Sequence, residues 1–376
     1  MSNCILCGER LPDRCFLHLP NMPSCAQNIP DKDGLLDDKG MDLDLYQCSS
    51  CGLVQLDCSP VSYYRDVIRA GGGTRTMTDL RRSQYAHFFS KCKLAGKRIV
   101  EVGCGRGEFL EMLGGFDVHG FGIENNGELV DVAVSRGLNV FNDFAEGPGH
   151  SLKGAPYDAF MQFNFIEHQP NPNDMVGCIR ENIAPNGFGL VTAPSFEYIR
   201  NNCVYEVMRD HLAYYTEKTL GFLFEKNGFD VLERGIVNRD TVYVIVQRRE
   251  ALSRETFKAN YLQIKDSMNN FVEEATAGGA RLAFWGASHQ CFTAASFLLR
   301  PGKVEFIVDS AVFKQGKYSP ASHIPIVSPE QFFERGADSL LILAPGYTDE
   351  IASVVRSRNR SIKLYALRSD VIEPLR

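Results

Sequence analysis

Residues 97–110 read KRIVEVGCGRGEFL, and the order of residue types in this stretch decides the fold. A β-prone apolar run, Arg98–Val102, meets glycines at the alternate positions Gly103, Gly105 and Gly107, and a helical pattern starts at Glu108. A strand, a tight turn and a helix start are expected. Glycine here permits φ > 0 and lets a ligand lie on bare backbone, where the N–H groups of a helix start can meet it. A dinucleotide-binding turn, G-x-G-x-x-G, would require glycine at Glu108. This turn is instead E-V-G-C-G-R-G, with a carboxylate, Glu101, just ahead of it.

From Lys97 onward, strand and helix patterns alternate, which implies a parallel sheet with crossover helices. The strand His119–Glu124 ends in an acidic residue placed to hold ribose hydroxyls. Strand Leu138–Asn142 ends at Asp143-Phe144, positioned to receive an adenine by hydrogen bond and ring contact, although Asp143 serves equally well as a helix cap. Strand Tyr157–Phe165 delivers Asn164, Phe165, Glu167 and His168 to the same edge. Strands at Gly187–Ala193, Val231–Gly235 and Thr241–Gln247 complete a seven-stranded sheet, with helices at Asp174–Ile183 and Glu217–Lys226. Ligands of such sheets sit outside the carboxyl ends of the strands. In the late loop NNCVYEVMRDHLAYY, the pair Asp210-His211 is a base candidate, against the commoner structural role of a histidine among apolar residues.

The chain has 376 residues and a formal charge of −6, enough for two or three domains. Lys and Arg are scattered without a basic stripe, which disfavours a nucleic-acid partner. No apolar run approaches the roughly 18 to 20 residues of a membrane span, and MSNCILCGER is unlike a signal peptide, so a cytoplasmic location is expected. Twelve cysteines in that setting point to thiols and metal ligands. Cys4-Ile-Leu-Cys7 is answered by Cys48-Ser-Ser-Cys51, each pair followed by glycine. Two such knuckles offer four thiolates, the donor set of a closed structural zinc site. The acidic segment between them is too poor in periodic apolar residues to fold without such a staple. After it, Ser59–Leu94 contains the GGGT break at Gly71–Thr74 and a helix with an apolar stripe, Met77, Leu80, Tyr85, Phe88 and Phe89. Tyr63 and Tyr64 are candidates for one wall of a substrate pocket.

Past a polar helix, Arg254–Thr276, the alternation restarts with Arg281–Trp285, the turn Gly286-Ala287-Ser288-His289, and strands Val304–Val308, Ser339–Pro345 and Ile362–Leu367. This is a second, smaller Rossmann-like α/β domain, whose single-glycine turn is weak as a phosphate cradle. The domains expected are a zinc-binding module at 1–58, a helical connector and pocket wall at 59–96, the core at 97–250, a linker helix at 251–278 and the C-terminal domain at 279–376.

The glycine turn is similar to that of class I S-adenosylmethionine (SAM) methyltransferases. The assembly as a whole resembles C-methyltransferases acting on nucleotide-linked deoxysugars, through CILCG, CSSCGLVQL, EVGCGRGEFL, NFIEHQPNPND, RDHLAYY, VDSAVFKQGKYSPASHIPIVSPEQF and LLILAPGYTDEI. The resemblance implies SAM as cofactor, bound by Glu101, Gly103, Gly105, Gly107, Glu124, Asp143, Phe144 and Asn164, and structural Zn²⁺ on Cys4, Cys7, Cys48 and Cys51. The family's acidic-His base pair falls on Asp210-His211, its H-x-x-Y tyrosine on Tyr214, and its second histidine on His168. Carbon methylation then runs through an enolate, with His211 as base and His168 or a hydroxyl holding the enolate oxygen. The substrate implied is a sugar nucleotide. The chain departs from the family in carrying Asp210 for Glu, Val67 and Ile68 where a catalytic tyrosine is usual, and GASHQ for a glycine-rich turn. With that tyrosine missing, O- or N-methylation stands as the alternative, and the oligomeric state is open.

Overall fold

A computed structural model describes residues 3–66, 74–202 and 204–375. Val67, Ile68 and Gly71–Gly73 lie outside the described residues. The chain forms two compact units, Met1–Glu250 and Ala251–Arg376.

In the first unit, the acidic segment between the cysteine pairs is not featureless. It forms β1 (Leu17–Met22) and β2 (Met41–Gln47), antiparallel, with Leu17 opposite Leu45 and Leu19 opposite Leu43. Alternation in MDLDLYQ buries Leu43 and Leu45 on one face and turns Asp42 and Asp44 to the other. Strand β3 (Val54–Leu56) pairs with β2. Helix α1 (Arg75–Cys92), capped by Thr74, buries Arg81, Tyr85, Phe88, Phe89 and Cys92.

The glycine turn follows β4 (Lys97–Val102). The expected helix after it is only a 3₁₀ turn, Glu111–Gly115. Gly114 and Gly115 halt it, because glycine loses the most backbone entropy in a helix. There is no long helix dipole at this turn, and recognition rests on individual N–H groups.

The chain continues through β5 (Val118–Glu124), α2 (Gly127–Ser135), β6 (Val140–Asn142), β7 (Tyr157–Phe163), α3 (Pro172–Asn182), β8 (Ile183–Pro194) and α4 (Phe196–Asn202). Then come β9 (Ala213–Tyr214), α5 (Glu217–Lys226), β10 (Phe229–Val237) and β11 (Thr241–Arg248). The seven-stranded order is β10-β11-β8-β7-β4-β5-β6, with β11 antiparallel to both neighbours. From β4 the chain winds first toward β6, then returns to β7 on the other side. The crevice for a ligand opens at that reversal, above the carboxyl ends of β4 and β7. Strand β9 leaves this sheet and completes the N-terminal one, in the order β1-β2-β3-β9. The cysteine segment and the loop carrying His211 are therefore stitched together by backbone hydrogen bonds.

The second unit begins with α6 (Arg254–Ala275) and contains β12 (Leu282–Trp285), α7 (His289–Ser296), β13 (Val304–Val308), β14 (Ile326–Val327), α8 (Pro329–Arg335), β15 (Ser339–Ile342), α9 (Thr348–Arg358), β16 (Lys363–Arg368) and β17 (Val371–Pro374). Its sheet order is β14-β13-β12-β15-β16-β17, parallel except for β17. Its turn is committed to packing. A Cβ on Gly286, at φ +104°, would stand 2.9 Å from the Cβ of Ala344. Asp309, after β13, spends its carboxylate on the Ala311 N–H and on Lys314 Nζ, at 2.8 and 3.0 Å.

Candidate active site

The three glycines of the turn have different reasons to be glycine. All have positive φ, a region costly for other residues. A Cβ on Gly103 would stand 3.1 Å from the Phe165 ring, and one on Gly107 would overlap Leu138. Gly105 meets only Glu108 Oε2, at 3.7 Å, so it is the bare stretch of backbone. Its N–H donates to Glu124 Oε2 at 2.8 Å, while Oε1 accepts from the Asn126 N–H at 2.9 Å. Glu124 thus stands at the turn, its pKa raised by burial against the pull of those two N–H groups. Glu101 is wholly buried on β4, opposite Gly122 and Met161 of the neighbouring strands.

Asp143 does not present a free carboxylate to adenine. Oδ1 accepts from the Phe144 N–H and pairs with His150 Nε2, and Oδ2 accepts from the Lys153 N–H, each at 2.8 Å. Its pKa is lowered despite burial, by the N–H groups of Lys153 and Phe144 and by His150. The Phe144 ring lies under the Arg65 guanidinium at 4.6 Å and edge-on to Phe165 at 6.4 Å. Arg65 is held by both oxygens of Glu146, at 2.8 and 2.9 Å.

A cavity of about 640 Å³ opens beside the end of β7. Asn164, Glu167, His168, Asp210 and His211 line it, with Met77, Leu80 and Arg81 from α1 and Val237 and Thr241 from the β10–β11 hairpin. Asn164 leaves the strand at φ +48°, and its Oδ1 accepts from Thr192 Oγ1 at 2.8 Å, so its amide keeps the N–H₂ donors. None of the three tyrosines expected to bind substrate lines the cavity. Tyr214 is buried, with its hydroxyl on the Met208 backbone at 3.0 and 3.1 Å. Tyr64 accepts from Arg65 Nε at 3.0 Å. Tyr63 donates to Asp210 Oδ2 at 2.6 Å and accepts from the N–H groups of Ala26 and Gln27, both at 3.1 Å.

That tyrosine defines what Asp210 does. Asp210 Oδ1 accepts from the Ala26 N–H at 2.8 Å, so its carboxylate fastens the segment 24–27 to the loop and Asp210 is a positioning residue. Its carbonyl oxygen accepts from His168 Nδ1 at 2.7 Å. A carbonyl can only accept, so Nδ1 carries the proton and Nε2 the lone pair. Burial, partly opposed by Asp210, depresses the His168 pKa. A neutral His168 in this tautomer accepts hydrogen bonds and does not donate one to an enolate oxygen, contrary to the role expected from the sequence. The rings of His168 and His211 are 4.8 Å apart, edge to face. Burial first, and then the neighbouring His168, push the His211 pKa down to about 3. The His211 loop is anchored on both sides, with the Leu212 N–H donating to Glu167 O at 2.8 Å and the Leu56 N–H to Leu212 O at 3.0 Å.

At the N-terminus, Cys4 Sγ lies 3.6 Å from Cys51 Sγ, and Cys7 Sγ 3.5 Å from Cys48 Sγ. All four sulfurs fall within 4.8 Å of one another. Sulfurs bound tetrahedrally at about 2.3 Å from zinc stand about 3.8 Å apart, far beyond a disulfide bond. The four-thiol donor set and its spacing fit zinc.

Sequence reasoning passed over Arg81, which lines the cavity from the buried face of α1. Its signal was a cation at the i+4 position between Met77 and Tyr85, inside an otherwise apolar stripe.

A methyltransferase domain model matches residues 77–234, and a C-methyltransferase C-terminal domain model matches residues 247–362. The C-methyltransferase NovU of Streptomyces niveus is 25% identical over 290 residues, covering 68% of each chain. A ubiquinone biosynthesis O-methyltransferase of Burkholderia multivorans is 29% identical over 119 residues, and this chain spans about half, 51%, of its length. A solved SAM dependent methyltransferase from Archaeoglobus fulgidus, at 20% identity, covers 46% of this chain and 95% of its own with a TM-score of 0.37, too distant to bear on the site. The protein is a SAM-dependent methyltransferase. Within that class, the match of residues 247–362 to a C-methyltransferase C-terminal domain and the similarity to NovU support a C-methyltransferase family. Among the described residues, no helix is long and apolar enough to cross a membrane.

Proposed function

We propose that the enzyme methylates a carbon next to the ketone of a nucleotide-linked deoxysugar, with His211 as the general base. The observation that carries this reading is the pairing of two imidazoles, 4.8 Å apart, in the cavity beside the end of β7. SAM supplies the electrophilic methyl group. His211, a neutral imidazole, takes the proton from the carbon to be methylated, leaving an enolate. Since the Nε2 of His168 carries a lone pair, the enolate oxygen is held by another donor, and we assign that role to the amide N–H₂ of Asn164, which lines the cavity. Tyr63 and Asp210 keep the His211 loop against the N-terminal segment. The apolar walls from Met77, Leu80 and Val237 suit a sugar that has lost hydroxyl groups.

Proton removal does not require methyl transfer, so it can be measured alone. A keto-deoxysugar nucleotide incubated in D₂O with enzyme and S-adenosylhomocysteine should exchange the hydrogen on that carbon. His211→Ala should suppress both exchange and methylation by about 10²- to 10⁴-fold, the contribution of a general base. Methylation without any carbon-bound deuterium would overturn the enolate mechanism.

We further infer that Cys4, Cys7, Cys48 and Cys51 hold one structural zinc ion. The closed four-sulfur set leaves no open coordination position for substrate. Elemental analysis should find one zinc per chain, lost in Cys48→Ser. A metal-free native protein would refute the assignment.

A further inference from the structure

Glu167 and His168 are consecutive in the 3₁₀ turn Ile166–His168, and His211 meets them from the loop between α4 and β9. All three line the cavity. Their ligand atoms fall within 4.8 Å of one another, the same limit that the four cysteine sulfurs meet. His168 Nε2 stands 3.9 Å from Glu167 Oε1, and the two imidazole centres are 4.8 Å apart. Nitrogen and oxygen ligands bound tetrahedrally at about 2.1 Å from a metal stand about 3.4 Å apart, and two imidazoles on one ion have centres about 5 Å apart. Small side-chain rotations bring the three donors onto a common ion.

The surroundings hold these donors in place. His168 Nδ1 donates to the Asp210 carbonyl at 2.7 Å, which leaves Nε2 as the lone-pair nitrogen. A ligating histidine commonly spends its other ring N–H on a backbone carbonyl in this way. The Leu212 N–H on Glu167 O, at 2.8 Å, ties the loop to the turn, so the spacing of His211 from the other two is set by backbone. Among the described residues the His211 imidazole has ring contacts only, with His168 and Tyr214. Glu167 and His168 are 1% and 6% exposed. A carboxylate offers about four lone-pair sites, so Glu167 can ligate a metal and keep its other partners.

We propose that Glu167, His168 and His211 form a second metal site, which takes a divalent transition ion of the zinc class through one carboxylate and two imidazoles, and that the bound ion inhibits the enzyme. Imidazole donors favour zinc and cobalt over Mg²⁺ and Ca²⁺, which prefer oxygen ligands. Three protein ligands leave a fourth position for water. The ion occupies the His211 lone pair that takes the acceptor's proton in the free enzyme. The inhibition therefore rests on the base reading above, whereas the binding does not.

The test uses the full chain with its cysteine site loaded with zinc, and Co²⁺ as the probe. One further Co²⁺ per chain should bind, with the visible absorption of a nitrogen and oxygen site and without the thiolate charge-transfer band of cobalt on cysteines. His168→Gln and Glu167→Gln should each weaken this ion by at least about tenfold. Their affinity for S-adenosylhomocysteine should stay within about twofold, which also shows that they are folded. If one variant fails to fold, the other and the spectrum of the unaltered protein carry the test. Added Co²⁺ or Zn²⁺, but not Mg²⁺, should stop deuterium exchange from the acceptor, and Glu167→Gln should need at least about tenfold more metal for the same fractional loss. Absence of a second ion would overturn the proposal, as would a thiolate band alone or a second ion that both variants bind like the unaltered protein. Site binding with undiminished exchange would refute the inhibition. If the metal-free enzyme shows no exchange at all, the base reading fails instead, and the binding result decides the site by itself.

Discussion

Burial leaves His211 and His168 neutral, and neutrality has a sign in pH. Both pKa values lie below the ordinary 6.5, that of His211 at about 3. Below pH 6.5 the unfolded chain takes up protons that the folded chain refuses, so stability is fully present above 6.5 and falls with pH toward the folded pKa. Each wholly buried imidazole contributes at most about 1.4 kcal/mol per pH unit, less for His211, which borders the cavity. Urea melts at pH 7.5 and 5.5 should show His168→Gln losing less stability on acidification than the parent. An equal loss would show that the imidazole titrates normally. For the same reason, the acid limb of deuterium exchange should fall below pH 6.5. Among the glycines, Gly107→Ala should unfold more readily than Gly105→Ala, because it adds overlap with Leu138 to a backbone strain of about 1 to 2 kcal/mol. Thermal melts of the two variants would check this order.

The pairing of β3 with β9 and the bond between Tyr63 and Asp210 act on one loop. Tyr63→Phe removes a donor from Asp210 and the acceptor of two N–H groups, an expected cost of about 1 to 3 kcal/mol. Because none of these groups touches the glycine turn, SAM affinity should hold while kcat falls. Calorimetry and steady-state kinetics on one preparation separate the two. A lowered SAM affinity would mean that the tyrosine segment supports the cofactor edge instead. Glu124 acts on that edge. Its carboxylate bridges the Gly105 and Asn126 N–H groups, so Glu124→Ala should weaken SAM by about 1 to 3 kcal/mol. Calorimetry finding unchanged affinity would remove it from the cofactor site.

Across the first unit, the four-cysteine module and the loop carrying His211 are joined through these contacts. Metal-binding energy in a four-cysteine module is folding energy. Chelation should therefore raise amide exchange in β1 to β3 and also in β9 and the loop carrying His211, while β4, β7 and β8 stay protected. Exchange confined to residues before β3 would show that the module is a passive appendage.

The turn at Gly103–Gly107, the alternating strands and helices, and the two cysteine knuckles were legible because each is set by neighbours in the chain. Side-chain periodicity, left-handed backbone and short ligand spacings are local properties. The strands hidden in the acidic segment showed a period-two pattern too, but aspartates at the outward positions lowered its mean hydropathy and masked it. The helix expected after the turn failed for a local reason that outweighed its apolar pattern, a glycine pair. What no local pattern held was partnership. Asp210 meets Tyr63 across 147 residues and Ala26 across 184, and Asp143 gives its carboxylate to Phe144, His150 and Lys153 of its own loop. Hydrogen-bond capacity is written in the residue type. Where it is spent depends on which groups the folded chain brings within about 3 Å, and tertiary structure alone decides that.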